Sequence, residues 1–365
     1  MIGVVQEEIM LGIGIAGIGN ISKIYLDNLS GMFAKRVKLA AAADVIFERA
    51  EKASADYKIK AFKSLDEMLN SGEVDIILNI TPPKVHFEAA LAAVRAGKHV
   101  YNEKPLCTKR EEAAQLLKTA AERGVRVGGA PDTFLGAGLQ TCRKIIDDGW
   151  IGAPVAANAV MMGHGPEHWH PSPEFFYKDG GGPMFDMGPY YITALVSLLG
   201  PVARVSGSAR ISTPTRTITN QYDYGKIINV EIPTHIAGVL DFADGPVGTL
   251  ITSFDVYSHS LPCIEIYGTE GTLKVPDPNT FAGPVFVKRL REPEWAQIPL
   301  LKNYQENSRG LGITDMAEAI EEGRPHRASS ELAFHVLDVM QGIHDASASG
   351  KYYKLKSKCK RPAAL

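Results

Sequence analysis

The feature that most constrains the fold is a pattern repeated along the first 130 residues. A short branched-apolar run meets a glycine- or proline-bearing turn, and a helical stretch follows. Strands that are apolar at every position must be covered on both faces, which alternating helices achieve over a parallel sheet. Residues 9–16 form the first run and lead through Gly17-Ile18-Gly19-Asn20-Ile21-Ser22 into a helix over 23–29. Further strands are predicted over 37–43, 74–80, 98–101 and 125–128. Ser64-Leu65-Asp66-Glu67 and Thr108-Lys109-Arg110-Glu111 read as capping boxes, and Gly97 and Gly124 as helix stops. The expected fold class is α/β, with an N-terminal Rossmann doubly wound parallel sheet ahead of a C-terminal α/β domain.

Ligands of such a sheet collect at the carboxyl ends of its strands, and four candidate stretches fall there. In the first, Gly17 permits a tight turn and Gly19 lets a pyrophosphate approach the backbone. Asn20 and Ile21 complete the turn, and small Ser22 sits where helix meets strand. In the second, Asp44 closes its strand with a carboxylate suited to ribose hydroxyls and hostile to a 2′-phosphate, which favours NAD over NADP. Two readings compete: Arg49 or Lys52 holding a 2′-phosphate, or Asp44 capping a helix that begins near Ile46. The third is Asn79-Ile80-Thr81-Pro82-Pro83, with His86 one turn into the next helix. The fourth is Tyr101-Asn102-Glu103-Lys104-Pro105. Its proline keeps Lys104 extended, and a lysine ammonium can donate a hydrogen bond or a proton to a substrate oxygen.

A chain of 365 residues exceeds one ordinary core, so two domains are expected, 1–130 and 131–365, with the helix over 330–348 a candidate to pack back on the first. A net charge of −2 gives no footprint for nucleic acid or an anionic membrane. The longest apolar runs are broken by glycines and too short to span a bilayer, and residues 1–8 lack a basic leader segment. Cys107, Cys142, Cys263 and Cys359 are widely spaced, which predicts reduced thiols and a cytoplasmic setting.

In the second half, a helix is expected over 139–149 and a strand over 155–161. His164, Glu167, His168, Trp169 and His170 follow in a segment broken by glycine and proline. No regular element presents those imidazoles in a fixed geometry, so no metal is expected. A loop facing a polyhydroxylated substrate suits them better, with His168, Trp169 and His170 as contacts. Gly180-Gly181-Gly182-Pro183-Met184-Phe185-Asp186-Met187-Gly188-Pro189-Tyr190-Tyr191 leads to an apolar helix over 192–199. Pro189 is then expected in the first turn and Asp186 near the helix N-terminus. Alternation over about 201–288 predicts antiparallel hairpins. A broad one-sided sheet needs cover, which a second subunit supplies, so a homodimer or homotetramer is expected. Helices over 315–322 and 330–348, a strand over 352–355 and a tail with solvated lysines complete the chain.

The order G-x-G-N, then T-P-P-x-x-H over 81–86, then A-G-K-H-V-x-x-E-K-P over 96–105 resembles the Gfo/Idh/MocA family (glucose–fructose oxidoreductase, inositol dehydrogenase and rhizopine-catabolism proteins). The resemblance spans the whole chain in outline. It implies a Rossmann domain followed by an α/β domain with a large, mostly antiparallel open sheet. It also implies an NAD(P)-dependent enzyme interconverting a secondary alcohol and a ketone on a sugar, sugar derivative or cyclitol. By the same resemblance Lys104 contacts the reacting oxygen, while Glu103 and the backbone around Thr81 and Pro82 line the nicotinamide side. Where the family reads G-G-G-x-x-x-D-x-G-x-H, the aspartate and histidine are the lysine's catalytic partners. This chain keeps Asp186 and Gly188 but has Tyr190 in the histidine's place. Tyrosine, with an ordinary pKa of about 10, is a weaker base than imidazole near neutral pH. Three readings stay open. Tyr190 orients substrate or relays the proton; His168 or His170 supplies the imidazole; or the protein is a non-catalytic dinucleotide- or sugar-binding regulator on the same fold. A reductase or dehydrogenase of non-sugar diols is a nearer alternative.

Overall fold

The computed structural model describes residues 10–301 and 303–365. They fall into two units. One holds the described residues up to Glu103 with Ala114–Gly129 and Arg309–Ser329; the other holds Lys104–Ala113, Ala130–Ser308 and Ser330–Leu365.

The first unit begins with β1 (Gly12–Ala16), α1 (Ser22–Ser30), β2 (Lys38–Ala43), α2 (Phe47–Tyr57), β3 (Lys60–Phe62) and α3 (Leu65–Asn70). Next come β4 (Ile76–Asn79), α4 (His86–Arg95), β5 (His99–Asn102), α5 (Arg110–Arg123), which enters this unit at Ala114, and β6 (Val127–Gly129). The six strands form one sheet in the order β3-β2-β1-β4-β5-β6, every pair parallel. β1 and β4 are buried at every position, as strands covered by helices on both faces must be. Burying Ile13, Ile15, Ile76 and Ile77 completely contributes about 1.5–3 kcal/mol each. The order reverses beside β1, where a doubly wound sheet opens its ligand crevice. Register brings the strand ends level: Ala16 pairs with Ala43 and with Asn79, and Asn79 pairs with Asn102.

The first strand, expected from residue 9, runs from Gly12; Ile9 lies outside the described residues. The box at Ser64 forms, its hydroxyl accepting from Glu67 N–H at 3.1 Å and Glu67 accepting from Lys63 N–H at 3.0 Å. The box at Thr108 does not hold its expected place. α5 begins at Arg110, and the Thr108 hydroxyl donates to Glu112 at 3.3 Å.

The second unit continues with α6 (Ala137–Asp147), β7 (Pro154–Met162), α7 (Gly182–Leu199), β8 (Val202–Arg210), β9 (Thr215–Thr217), β10 (Ile227–Asn229), β11 (His235–Phe242) and β12 (Val247–Ser253). β13 (Ile264–Gly268), β14 (Gly271–Val275), β15 (Val285–Arg289) and β16 (Ala296–Ile298) follow. The chain then returns to the first unit for α8 (Leu311–Glu321) and ends in the second with α9 (Ser330–Ser349) and β17 (Tyr353–Lys354). Nine strands form a mixed sheet in the order β16-β15-β14-β13-β7-β12-β11-β8-β17. All its pairs are antiparallel except β7 with β12. β11 alternates buried and half-buried residues, the signature of a sheet with one face on the core.

Two expectations change here. α7 starts at Gly182 instead of near Ile192, and Pro183, not Pro189, takes the first turn. Pro189 lies inside the helix, where its missing N–H leaves the Phe185 carbonyl without a helical donor. The run of glycines and prolines conceals this helix from a propensity reading, but its apolar residues are buried from Gly188 to Leu199, and that burial outweighs the propensity. The tail is also more than a solvated segment. Lys356, Lys358 and Lys360 are exposed, but the residues between them dock: Ser357 N–H donates to Asp338 at 2.8 Å and Arg361 donates to Asp147 at 2.7 Å. Among the described residues no helix is long and apolar enough to cross a membrane.

Candidate functional site

In the first unit the glycine turn leaves β1 at Gly17, whose φ is +95°. A Cβ there would stand 3.0 Å from Thr81 N and 3.1 Å from the Ile80 carbonyl, so only glycine fits against the end of β4. At Gly19 a Cβ would meet nothing within 4 Å, and Gly19, Asn20 and Ile21 are exposed. Ser22 is buried, its hydroxyl donating to Gly19 O at 2.7 Å and closing the turn onto α1. No side chain caps the first turn of α1. Its N–H groups and positive dipole end therefore face outward beside an approachable backbone, an arrangement suited to a pyrophosphate.

Asp44 ends β2 with both oxygens engaged. Oδ2 accepts from Ile18 N–H at 2.6 Å and Oδ1 from Ile46 N–H at 2.7 Å. The carboxylate thus joins the glycine turn to the start of α2. Arg49 is exposed and Lys52 pairs with Asp56 at 2.8 Å.

Asn79, at the end of β4, is fully buried. It donates to His86 O and to Asn102 Oδ1, both at 3.0 Å, and accepts from the Thr81 hydroxyl at 2.7 Å. His86 is buried too, with Nε2 2.8 Å from Thr81 O. These side chains shape the turn that presents Thr81 and Pro82, while Thr81 itself stays half-buried. Glu103 closes β5; its N–H donates to Asn79 O at 2.8 Å and its carboxylate accepts from Tyr25 OH at 2.6 Å. Nothing local in the sequence points to Tyr25, whose partner lies 78 positions away.

Lys104 is the next residue and belongs to the second unit. Its Nζ donates to Asp186 Oδ1 at 2.9 Å and to Asp186 O at 2.5 Å, and lies 5.2 Å from the centre of the Tyr190 ring. Asp186 and Tyr190 are four apart on α7, so one helix face presents both, the carboxylate partly exposed and Tyr190 buried. Because α7 starts early, Asp186 sits in its second turn, and the missing rung at Pro189 lies on the same stretch of helix.

The histidine loop divides. His168 and Trp169 are exposed. His170 is half-buried, with Trp169, Phe175 and Phe176 edge-on to its ring at 5.1–5.4 Å. Burial holds its pKa below the ordinary imidazole value, and the Asp186 carboxylate is one of the groups that pull it the other way. His164 stacks on Tyr257 with centroids 4.2 Å apart. Beneath the loop, Glu167, Tyr177 and Arg216 form a buried polar cluster that no local signal in the sequence announces, Arg216 being 49 positions from Glu167.

Residues 11–129 match the model described as the oxidoreductase family, NAD-binding Rossmann fold, and residues 139–274 match the GFO/IDH/MocA C-terminal domain. D-xylose dehydrogenase of Paenarthrobacter nicotinovorans is 27% identical over 57% of this chain and 55% of its own length. 1,5-Anhydro-D-fructose reductase of Ensifer adhaerens is 28% identical over 66% and 68%. Inositol 2-dehydrogenase 3 of Saccharopolyspora erythraea is 25% identical over 73% of each. In fold, the chain is similar to an NAD binding oxidoreductase from Klebsiella pneumoniae, with a TM-score of 0.83 at 22% identity over 96% of this chain and all of that one. Levoglucosan dehydrogenase in complex with NADH and L-sorbose gives 0.79 at 18% identity over 95% and 99%. With both family models matched in their expected order over more than half of its length, the chain belongs to the GFO/IDH/MocA family of oxidoreductases.

Proposed function

We propose that this oxidoreductase is an NAD-dependent dehydrogenase that interconverts a secondary alcohol and a ketone on a sugar, sugar derivative or cyclitol. The observation that carries the reading is Lys104. Its ammonium is held 2.9 Å from the Asp186 carboxylate and over the Tyr190 ring, and the residue before it closes a strand of the NAD-binding sheet. The sugar and inositol activities named for the relatives support a polyhydroxylated substrate.

The glycine turn, the uncapped start of α1 and the Asp44 carboxylate fit a dinucleotide whose ribose carries no 2′-phosphate. When bound, that group supplies the hydride acceptor. The chain's own residues handle the proton. Lys104 donates to the reacting oxygen and stabilises its negative charge as the hydroxyl proton leaves. Asp186 balances the ammonium and keeps it aimed. Tyr190 OH relays the proton, taking it on its oxygen while passing its own on to solvent, and His168, Trp169 and His170 hold the remaining hydroxyls. Asn79 and His86 serve by fixing the turn that carries Thr81 and Pro82. The half-buried face of the nine-stranded sheet suits assembly into a homodimer or homotetramer, which light scattering reads directly.

The test is Lys104→Met, screened with the wild type for NAD reduction across polyols, inositols and glycosides. The expected result is unchanged NADH binding with turnover lower by at least about a hundredfold. Near-normal turnover in the variant would remove Lys104 from the chemistry. Firm cofactor binding with no turnover by the wild type on any substrate would favour a dinucleotide-binding regulator.

A further inference from the structure

We infer that His170 is a substrate-orienting hydrogen-bond donor locked as its Nε2–H tautomer, and that Arg216 and Asn220 are positioning residues that hold it there. This rests on the dehydrogenase reading above and assigns one of its open roles.

The tautomer follows from one bond. Ser172 N–H donates to His170 Nδ1 at 3.0 Å, which commits that nitrogen's lone pair. A neutral imidazole then carries its proton on Nε2, and Nε2 can only donate. Accepting a second proton requires Nδ1 to give up the Ser172 bond. His170 is therefore unsuited to the proton-accepting role of the histidine that Tyr190 replaces, and the reacting proton stays with Tyr190 and Lys104. The ring is fixed by three aromatic edges and lies within electrostatic reach of Asp186, the residue that holds Lys104. An Nε2–H there selects an acceptor oxygen on a carbon beyond the reacting one.

Long-range bonds fix the backbone of the loop. Asn220 Nδ2 donates to His170 O at 2.6 Å. Glu167 O accepts from the N–H groups of Thr219 and Asn220 at 3.0 and 3.2 Å. The Glu167 carboxylate accepts from Tyr177 OH and from Arg216 Nη1, the latter at 3.2 Å. Arg216 Nη2 also donates to Asp255 and to Phe254 O, and Asp255 accepts from the Thr234 hydroxyl at 2.7 Å. Glu167 and Arg216 are 3% and 8% exposed. Both terminal nitrogens of Arg216 are hydrogen-bonded while its buried Nε is not, and a buried ion pair of this kind adds little net stability but specifies one arrangement. Here it ties the loop to β9, which leads into the segment where Asn220 reaches His170.

The experiment compares His170→Gln, His170→Ala and Asn220→Ala with the wild type, using a polyol that the wild type oxidises. The glutamine amide nitrogen reaches the position of imidazole Nε2 and donates, but it carries no titrating proton. The expected result is His170→Gln within about fivefold of wild-type kcat/KM with the same pH profile, and His170→Ala lower by about ten- to a hundredfold, mostly in KM. Asn220→Ala raises KM while NADH binding holds; it stands in for Arg216→Met, which risks the fold. Nitrogen-15 spectra of the histidine rings, assigned with the His170 variants, should show Nε2 protonated and Nδ1 bare. A glutamine variant as inactive as alanine, a lost limb in its pH profile, a protonated Nδ1, or an unchanged KM in Asn220→Ala would each overturn the inference. The nitrogen spectra separate this failure from that of the dehydrogenase reading, which shows instead as no wild-type turnover.

Discussion

Asp44→Ala removes two functions at once, and each has its own readout. The carboxylate accepts from Ile18 N–H at 2.6 Å and from Ile46 N–H at 2.7 Å. A hydrogen bond to a charged acceptor contributes about 1.5–3 kcal/mol. Ile46 is 45% exposed, so water recovers part of the loss and the low end applies, about 2–3 kcal/mol for the pair. Asparagine keeps one acceptor oxygen and forfeits one bond, about 1–2 kcal/mol. At roughly 1–2 °C per kcal/mol in a chain of 365 residues, alanine should lower Tm by about 2–6 °C and asparagine by about half as much. The second function is cofactor choice. Losing a charge-assisted bond to a ribose hydroxyl should weaken NAD about ten- to a hundredfold, while NADP, no longer repelled, loses less. Scanning calorimetry and the ratio of kcat/KM for NAD to that for NADP separate the two. A fall in Tm with an unchanged ratio would refute the ribose role and leave Asp44 as a clasp between the glycine turn and α2. If neither moves, the bonding argument itself is wrong.

Three further outcomes are expected. Tyr190→Phe keeps the ring beneath Lys104, so Tm should hold while kcat falls about a hundredfold; an unchanged kcat takes the hydroxyl out of the proton path. Gly17→Ala meets backbone at 3.0–3.1 Å from a positive φ, and should cost about 1–3 kcal/mol and weaken NADH binding, both read by titration. His335 accepts from Val202 N–H at 3.0 Å and lies 2.8 Å from the Ser357 hydroxyl, and burial pushes its pKa down to about 4 from 6.5. The unfolded chain therefore binds the proton first, and stability present above pH 6.5 is lost as pH falls toward 4, about 2.5 kcal/mol by pH 4.5. Urea unfolding of His335→Gln should lack that component of the slope; an identical pH dependence would refute it.

How far the sequence could be read depended on the range of the forces involved. The parallel sheet was legible because each strand is apolar at every position and punctuated by its own turn residues, as in Ile13 to Gly17 or Ile76 to Pro82. The strand-end clustering of Gly17, Asp44, Thr81 and Glu103 followed from topology alone. What stayed hidden was set by distance or by competition. Tyr25 finds Glu103, and Arg216 finds Glu167 and Asp255, across 78, 49 and 39 positions, where no periodicity carries a signal. The parallel pairing of β7 with β12 joins segments nearly a hundred residues apart in a region whose local turns read as hairpins. α7 is hidden in the sequence for the opposite reason. Its first residues send strong local signals for a turn, and only burial in the finished unit overrules them.

The proline inside α7 has a consequence for how this protein could be altered. A helix of 18 residues that is almost wholly buried should be among the most replaceable elements for a regular backbone, and Pro189 interrupts it one residue before Tyr190 and three after Asp186. Alanine at 189 would restore a rung and raise helix propensity by about 3 kcal/mol. A search for hardier variants would therefore favour it. The same change would draw the turn bearing Asp186 and Tyr190 toward ideal geometry and away from the ammonium of Lys104. Position 189 is thus where durability and turnover are expected to part, and variants selected only for heat resistance should lose activity there first.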